Sequence, residues 1–211
     1  MNKRLIVFDV DGVLLNNKMG GFKDILILLE KEKDVQIIDE EYQKRKHVGP
    51  WGMEQLAELY QGFYQNRLRE LAIKYCQKNL TKGVTSSLAK LKKRGYVIGA
   101  LSSNPQFIMD VLTKELPLDF SEGTRLEFKE GVATGRIQRK VDRYIKAEIL
   151  QKKIKDYQSK KEDTIVVGDS ITDIPMAELA GTFIAFCPKQ DIVKEKANLI
   201  VANFQQLKLL L

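Results

Sequence analysis

The chain has 211 residues, 44% of them hydrophobic and 30% charged, and a formal net charge of +7. These values are typical of a globular protein with one full core, and no apolar run reaches the length of a membrane span. The lysines alternate with apolar residues in helical stretches, which favours solvated helix faces over a nucleic-acid surface, and an anionic small substrate fits the charge equally well.

The cysteines and the N-terminal pattern indicate a compartment. Cys76 and Cys187 lie far apart in the sequence and match no metal-ligand spacing, so neither a disulfide framework nor a cysteine metal site is predicted. The chain runs directly into a strand pattern, without the features of a signal peptide. We therefore expect a cytoplasmic protein.

The first predicted element is a buried strand that ends in two carboxylates. It lies in LIVFDVDGVL, residues 5–14, which contains Asp9 and Asp11. Residues i and i+2 of a strand point to the same side, so the two carboxylates should converge unless the chain turns at Gly12. Because an unpaired buried charge is unfavourable, we expect either a bound cation or a proton on one of them.

The pattern is helical from about residue 20 to residue 82, and no strand is predicted there. Apolar residues recur at spacings of three and four, and the pairs Gly20-Gly21 and Gly49-Pro50 interrupt them. The helical stretches are DILILLEKEKDV, WGMEQLAELYQGF and YQNRLRELAIKYCQKNL. Residues 16–82 therefore form a predicted helical insert.

Helices and strands alternate after Gly83. Asn104 is a predicted N-cap with Pro105 in the first turn of its helix, and Glu130-Gly131 lies near a hairpin turn. The predicted elements are helix VTSSLAKLKKRG, strand YVIGALS, helix PQFIMDVLTKEL, hairpin TRLEFKEGVATGRI, helix VDRYIKAEILQKKIKDY, strand DTIVVGD, helix ITDIPMAELAG, and strands TFIAFCP and ANLIV. The alternation predicts an α/β fold, in which residues 1–15 and 83–211 form a doubly wound parallel sheet and residues 16–82 are the inserted helical domain.

Three predicted strands end in polar groups. Asp9 and Asp11 follow the first, Ser102 ends the second, and Asp169, with Asp173 four residues later, ends the third. Ligands of doubly wound sheets bind outside the carboxyl ends of the strands, so these groups should share one crevice. Carboxylate and carbonyl oxygens suit Mg²⁺, and an aspartate can act as a nucleophile. Together these groups predict phosphoryl transfer. A lysine is expected in the same site, where it would balance the negative charge.

In this order, DVDGV, LSS, a lysine ahead of a helix, and GDSITD resemble the four motifs of the haloacid dehalogenase superfamily of aspartate-based phosphatases. The resemblance extends from Arg4 to about Ile200 and is closest to the phosphoserine phosphatase-like branch, through KAEIL, VVGDSITDIPMAELAG and IAFCPK. It implies a Rossmann-like core with a helical cap. It also implies a Mg²⁺-dependent phosphatase for a small phosphorylated metabolite, and the charge pattern and the short apolar runs predict no nucleic-acid or membrane partner. A monomer and a homodimer are both compatible with it.

The resemblance implies a role for each motif residue. Asp9 attacks phosphorus and becomes an aspartyl-phosphate. Asp11 protonates the leaving oxygen, then activates the hydrolytic water, and its backbone carbonyl binds Mg²⁺. Lys146 stabilises the charge of nucleophile and phosphate, with Lys140 as the alternative. The predicted metal-site residues are Asp9, Asp11, Asp169 and Asp173, of which Asp173 orients groups around the metal or, alternatively, only caps the following helix.

The predicted substrate-binding residues are Ser102, Ser103, Asn104, Lys146 and Lys18. Ser102 holds the phosphoryl group, and Ser103 and Asn104 are its alternatives. Lys18 stands where phosphoserine phosphatases carry the acid that receives the amino group of the substrate, and Ser103-Asn104 replaces their glycine pair. These differences argue against phosphoserine as the preferred substrate, although a phosphoserine-like phosphomonoester stays compatible with the motifs. They lead to the hypothesis that Lys18 favours a second anionic group.

Two alternatives to a phosphatase are compatible with the motifs. A phosphomutase of the same superfamily would return the phosphoryl group to a sugar, and DVDGV does not distinguish it. A non-catalytic phosphorylation switch resembling a receiver domain also gathers aspartates, a hydroxyl and a lysine. Receivers are shorter and lack a helical insert.

Overall fold

The computed structural model describes residues 3–211, which form a seven-stranded sheet with helices on both faces. The strands are β1 (Leu5–Phe8), β2 (Val97–Pro105), β3 (Phe120–Lys129), β4 (Val132–Arg139), β5 (Thr164–Gly168), β6 (Thr182–Phe186) and β7 (Leu199–Val201). The helices are α1 (Gly21–Leu28), α2 (Glu32–Arg45), α3 (Met53–Glu58), α4 (Gln65–Asn79), α5 (Val84–Lys93), α6 (Gln106–Glu115), α7 (Arg143–Asp156), α8 (Ile174–Ala177), α9 (Asp191–Lys196) and α10 (Phe204–Leu210). The predicted α/β fold is confirmed.

The sheet order brings the three acid- and serine-bearing strand ends together. The order is β4-β3-β2-β1-β5-β6-β7, and every neighbouring pair is parallel except β3 and β4. In β1, Phe8 lies opposite Ala100 of β2 and Val167 of β5. Strands β2 to β4 lie on one side of β1 and strands β5 to β7 on the other, so the strand order reverses at β1. Doubly wound folds bind ligands at such a switch point.

The central strand is apolar at every position because helices cover both of its faces. Ile6 and Phe8 pack in one hydrophobic cluster with residues of α5, α6 and α10, while Leu5 and Val7 pack in the other with residues of α7, α8 and α9. All four side chains are fully buried. Each such burial contributes about 1.5–3 kcal/mol relative to exposure, so β1 is a rigid base for the residues that follow it.

Helices α1 to α4 form one insertion between β1 and α5. The chain enters and leaves this insertion side by side, because Asn16 N donates to Asn79 O at 2.8 Å and Thr81 N donates to Leu14 O at 3.0 Å. The described residues of this region form helices and isolated bridges but no strand, as the apolar spacing predicts. The division at residues 15/16 and 82/83 remains a prediction.

The predicted hairpin is confirmed, and it joins the insertion to the sheet. Glu130 and Gly131 both have positive φ, 50° and 78°, which is the conformation of a two-residue hairpin turn. Strand β4 reaches the insertion through Ala133, whose carbonyl accepts from Gly62 N at 2.9 Å and whose N–H donates to Phe63 O at 2.9 Å. The inserted helices are therefore fixed to this end of the sheet by backbone hydrogen bonds.

Two local predictions are wrong. Strand β2 continues to Pro105, and α6 begins at Gln106 without a side-chain cap, so Asn104 is not an N-cap. The side chain of Asn104 forms tertiary hydrogen bonds instead. The stretch ITDIPMAELAG folds as a single 3₁₀ turn, Ile171–Asp173, followed by the short helix α8, because the Asp173 carboxylate bonds backward to Asp169 N and Ser170 N.

Within residues 3–211, none of the helices has both the length and the apolar character that crossing a membrane requires.

Candidate active site

Asp9 lies at the carboxyl end of the central strand. Its N–H continues the sheet by donating to Val167 O at 2.9 Å. Its carboxylate is buried and accepts a hydrogen bond at Oδ1 from Lys146 Nζ, 3.0 Å away. The strand therefore holds the backbone of Asp9, and the lysine holds one of its two carboxylate oxygens.

Lys146 is placed in the site by helix α7. The Asp142 carboxylate caps this helix by accepting from Tyr144 N at 3.0 Å and Ile145 N at 3.1 Å. Lys146 Nζ donates to Asp173 Oδ1 at 2.7 Å as well as to Asp9, with only 3% of its surface exposed. Lys140, the alternative lysine, pairs with the exposed side chain of Glu54 at 2.9 Å.

Burial favours the neutral amine of Lys146, but the carboxylates of Asp173 and Asp9 outweigh this and raise its pKa above the ordinary value. The lysine is therefore a permanent cation between two buried acids. A charge pair of this kind is stable only when both partners are present.

Asp169 and Asp173 follow strand β5 in a tight turn. Asp173 Oδ2 accepts from Asp169 N at 3.1 Å and from Ser170 N at 3.2 Å, in a capping box with Ser170. A Cβ atom at Gly168 would lie 2.5 Å from the Asp173 carboxyl, so this position accepts only glycine without rearrangement. The turn thus buries Asp173 while Asp169 lines the cavity.

The carboxylates of Asp9, Asp169 and Asp173 form a cluster that could hold a metal ion, with one oxygen from each lying within 4.8 Å of the others. Burial and the charge of Asp173 raise the pKa of Asp9 well above its usual range, against the effect of Lys146. Burial and the charges of Asp173 and Asp11 raise the pKa of Asp169 to about 7. Hard oxygen donors whose negative charges repel one another fit a divalent cation.

The backbone at Gly12 passes directly beside Asp169. Gly12 has a φ of +76°, and a Cβ there would lie 2.3 Å from Asp169 Oδ2. Both the left-handed conformation and the close approach require glycine at this position. The chain therefore turns at Gly12, the alternative that the sequence left open, and this turn brings the chain segment of Asp11 against the acidic cluster.

The Asp11 carboxylate lies outside that cluster and is held by three donors on one oxygen. Its Oδ1 accepts from Asn17 Nδ2 at 2.5 Å, from Asn104 Nδ2 at 3.0 Å and from Gly21 N at 3.1 Å. Asn17 Nδ2 also donates to Tyr75 OH at 2.9 Å. Since Oδ1 acts only as an acceptor, a proton carried by Asp11 sits on Oδ2.

The three polar residues that end β2 have different surroundings. Ser102 is buried, and its Oγ accepts from Asn104 N at 3.2 Å. Ser103 is exposed. Asn104 is buried, and its Oδ1 accepts from Phe22 N at 2.9 Å while its Nδ2 binds Asp11. All three residues line the same cavity as Asp9.

A cavity of about 420 Å³ lies between the strand ends and the inserted helices. It is lined by all of the predicted site residues except Asp173, which lies beneath it, and Lys18 lies at an exposed part of its wall. Sequence reasoning missed several lining residues: Asn17, Lys23, Tyr42, Arg143 and Lys189. Only Arg143 carried a signal, since it precedes Lys146 by three residues on one helix and so shares its face.

The sequence matches the haloacid dehalogenase-like hydrolase family over residues 3–181. A phosphoserine phosphatase of Methanocaldococcus jannaschii is 32% identical over 205 residues, which cover 94% of this chain and 92% of the relative. A solved phospho-aspartyl intermediate analogue of phosphoserine phosphatase is similar with a TM-score of 0.83 at 28% identity, covering 98% of both chains. A substrate-bound phosphoserine phosphatase complex has a TM-score of 0.81 at 27% identity, covering 100% of this chain and 98% of that chain.

These matches confirm the predicted family, its phosphoserine phosphatase-like branch and the prediction of an enzyme. They extend over the sheet and the inserted helices alike. The chain belongs to the haloacid dehalogenase-like hydrolases.

Proposed function

We propose that the chain is a Mg²⁺-dependent phosphatase that hydrolyses a small phosphorylated metabolite through an aspartyl-phosphate on Asp9. The observation that carries this proposal is the contact of Asp9 Oδ1 with Lys146 Nζ at 3.0 Å, at the end of the central strand and in the wall of the cavity. The lysine fixes one carboxylate oxygen, so the other is directed to a bound phosphoryl group. We also expect the protein to act in the cytoplasm.

In the first half-reaction, the free carboxylate oxygen of Asp9 attacks phosphorus, and the bond between phosphorus and the ester oxygen breaks. The leaving oxygen takes the proton of Asp11. Because three donors occupy Oδ1 of Asp11, this proton comes from Oδ2. The products are the free alcohol and the aspartyl-phosphate.

In the second half-reaction, water attacks the phosphorus of the aspartyl-phosphate, and Asp11 takes one of its protons. The bond between phosphorus and Asp9 then breaks, which restores the carboxylate and releases inorganic phosphate. The Lys146 ammonium stabilises the negative charge of both steps. Ser102 Oγ holds a phosphoryl oxygen, with Ser103 at the exposed side of the same strand end.

The metal ligands in this proposal are Asp9, Asp169 and the backbone carbonyl of Asp11, and Asp173 orients Lys146 and the turn around them. Bound Mg²⁺ would neutralise negative charge on the nucleophile and on the phosphoryl oxygens. The carboxylate cluster and the close backbone at Gly12 support this assignment.

The test is phosphate release from a panel of phosphorylated metabolites, with and without Mg²⁺. We expect release that depends on Mg²⁺ and that Asp9→Asn reduces by more than about 10³-fold, as expected for loss of a nucleophile. Asp156→Asn, at the exposed end of α7, is the matched control and should leave the rate unchanged. Release that survives Asp9→Asn would contradict the proposal, and transfer to a sugar without free phosphate would indicate a phosphomutase.

A further inference from the structure

The cavity carries an excess of positive charge away from the reaction centre. Beyond Asp9, Asp11, Asp169 and Lys146, its charged lining residues are four cations, Lys18, Lys23, Arg143 and Lys189, and two acids, Asp39 and Asp142. A site for a zwitterionic amino acid needs an acid that is free to receive an ammonium group. The state of the two acids therefore decides what this wall can bind.

Neither acid is free. Asp39 Oδ1 is in direct contact with Lys23 Nζ, and it also accepts from Gln43 Nε2 at 3.4 Å. Asp142 Oδ1 caps helix α7 through two backbone N–H groups, and its Oδ2 lies 3.9 Å from Lys140 Nζ. The charge of Asp39 is thus already balanced by Lys23, and Asp142 is engaged by the helix N-terminus and lies near the Lys140 ammonium.

Two of the cations have neither an ion pair nor a side-chain hydrogen bond within the described part of the chain. Lys23 is held by Asp39 and lies over the Tyr42 ring at 4.6 Å, and Arg143 donates to Lys46 O at 2.7 Å. Lys18 and Lys189 form no ion pair or side-chain hydrogen bond with any residue from 3 to 211, and both are exposed in the cavity wall. They are available to a ligand, and the guanidinium of Arg143, which forms no ion pair among residues 3–211, adds a further positive charge to the wall.

The backbone of Lys18 lies close to the place where the leaving group departs in the proposed reaction. It directly follows Asn17, whose side chain binds the Asp11 carboxylate. Asp11 contacts the ester oxygen in the proposed reaction, so the Lys18 ammonium can reach an anion only a few bonds from that oxygen. Ile38, Trp51 and Met53 add apolar side chains to the same wall.

Building on the proposed function, we infer that the substrate is a phosphomonoester whose alcohol carries a second anionic group, a carboxylate or a phosphate, and no ammonium group. Lys18 binds this second anion, with Lys189 as a further cation at the same wall. The attraction between exposed charges is worth about 1 kcal/mol, which corresponds to roughly a fivefold effect on kcat/KM and more where the wall excludes water.

The test uses three-carbon phosphate esters that carry different groups on the alcohol: no further group, a carboxylate, a second phosphate, an ammonium group, or an ammonium group together with a carboxylate. The set is propyl phosphate, 3-(phosphonooxy)propanoate, propane-1,3-diol bisphosphate, 3-aminopropyl phosphate and phosphoserine. We expect kcat/KM to be at least about fivefold higher for the carboxylate or the bisphosphate than for propyl phosphate, and lowest for the aminopropyl ester. The ranking of the carboxylate against the bisphosphate identifies the second anion.

Variants assign the effect to Lys18. Lys18→Met should reduce the preference for the anionic esters to about twofold or less, and Lys18→Glu should shift it toward 3-aminopropyl phosphate. Lys74→Met, at an exposed position of α4, is the matched control and should retain the full preference. An equal kcat/KM for the neutral and anionic esters, or a preference for phosphoserine over the carboxylate ester, would overturn the inference.

Binding to Asp9→Asn separates this inference from the proposed function. Its dissociation constants for the same esters, measured by calorimetry with Mg²⁺, need no turnover and should show the same order. If the wild-type chain released no phosphate while Asp9→Asn still preferred the anionic esters, the proposed reaction would fail and the ligand class would stand. If neutral and anionic esters bound equally, the ligand class would fail, whatever the turnover.

Discussion

Asn104 Nδ2 lies 3.0 Å from Asp11 Oδ1, and this contact connects the predicted acid–base residue to the inserted helices. The Oδ1 atom of Asn104 accepts from Phe22 N in the first turn of α1, at 2.9 Å. One buried amide therefore links strand β2, the segment after β1 and helix α1. The position of Asp11 therefore depends on how the inserted helices pack against the sheet.

Replacing Asn104 tests this link. Asn104→Ala removes a donor from Asp11 and leaves the buried Phe22 N–H without a partner, which should lower the free energy of unfolding by about 1–3 kcal/mol. We expect kcat to fall about tenfold with a smaller change in KM, because Asp11 loses part of its orientation. Urea unfolding and steady-state kinetics measure the two effects.

Asn66→Ala is the control for Asn104→Ala, since Asn66 is exposed on α4. It should change the free energy of unfolding by no more than about 0.5 kcal/mol and leave kcat unchanged. If Asn104→Ala behaved in the same way, the amide would not orient Asp11.

Removing the charge of Lys146 and removing that of Lys140 should have different effects on stability and on kcat. Lys146→Met leaves two buried carboxylates unpaired, so we expect a loss of about 3–5 kcal/mol in stability and a fall of at least about 10²-fold in kcat. Lys140→Met breaks an exposed pair with Glu54 and a longer contact of 3.9 Å with Asp142, together worth at most about 1 kcal/mol. Equal losses of kcat in the two variants would argue against Lys146 as the lysine of the reaction.

Alanine substitutions at Gly12 and Gly95 distinguish backbone strain from crowding of the proposed metal site. Both have positive φ, +76° and +83°, but a Cβ at Gly95 meets nothing within 4 Å, while one at Gly12 meets Asp169. Each alanine variant should lose about 1–2 kcal/mol through strain. Only Gly12→Ala should also weaken Mg²⁺ binding, which calorimetric titration measures. Unchanged Mg²⁺ affinity in Gly12→Ala would place the metal elsewhere.

Stability and metal binding should depend on pH through Asp169. Its pKa is raised to about 7 in the fold, against about 3.9 in an unfolded chain. Between these values the folded state binds more protons than the unfolded state, so this group makes the metal-free protein less stable as pH rises from about 4 to about 7. Mg²⁺ competes with the protons and favours the ionised form.

We therefore expect Mg²⁺ to raise Tm more at pH 8 than at pH 6, as thermal melts at matched ionic strength would measure. Asp169→Asn should flatten this dependence. An equal shift at both pH values in the wild-type protein would contradict the assignment of Asp169 to the metal site.

Local rules predicted most of the regular elements of this protein, although the stretch ITDIPMAELAG folds as a 3₁₀ turn and a short helix. The apolar runs before Asp9 and Asp169 predict buried parallel strands, and Glu130-Gly131 predicts the hairpin turn, because strand burial and turn conformation depend on near neighbours in the sequence. Asn104 shows the limit of such rules. Its position just ahead of Pro105 is typical of a helix cap. In the fold, its buried amide instead forms hydrogen bonds with Phe22 and Asp11, which are distant in the sequence.

By itself, the sequence determined the fold class, the helical insertion and the acidic strand ends, because hydrophobic periodicity and strand order confine polar groups to one edge of a parallel sheet. Only the tertiary structure decided which side chains meet there. It joined Lys146 rather than Lys140 to Asp9, and it put Asn17 and Asn104 on one oxygen of Asp11. It also left Lys18 unpaired within residues 3–211, in a cavity wall where Asp39 pairs with Lys23 and Asp142 caps α7. These contacts join residues that are distant in the chain or depend on how the insertion is seated, so no local pattern encodes them.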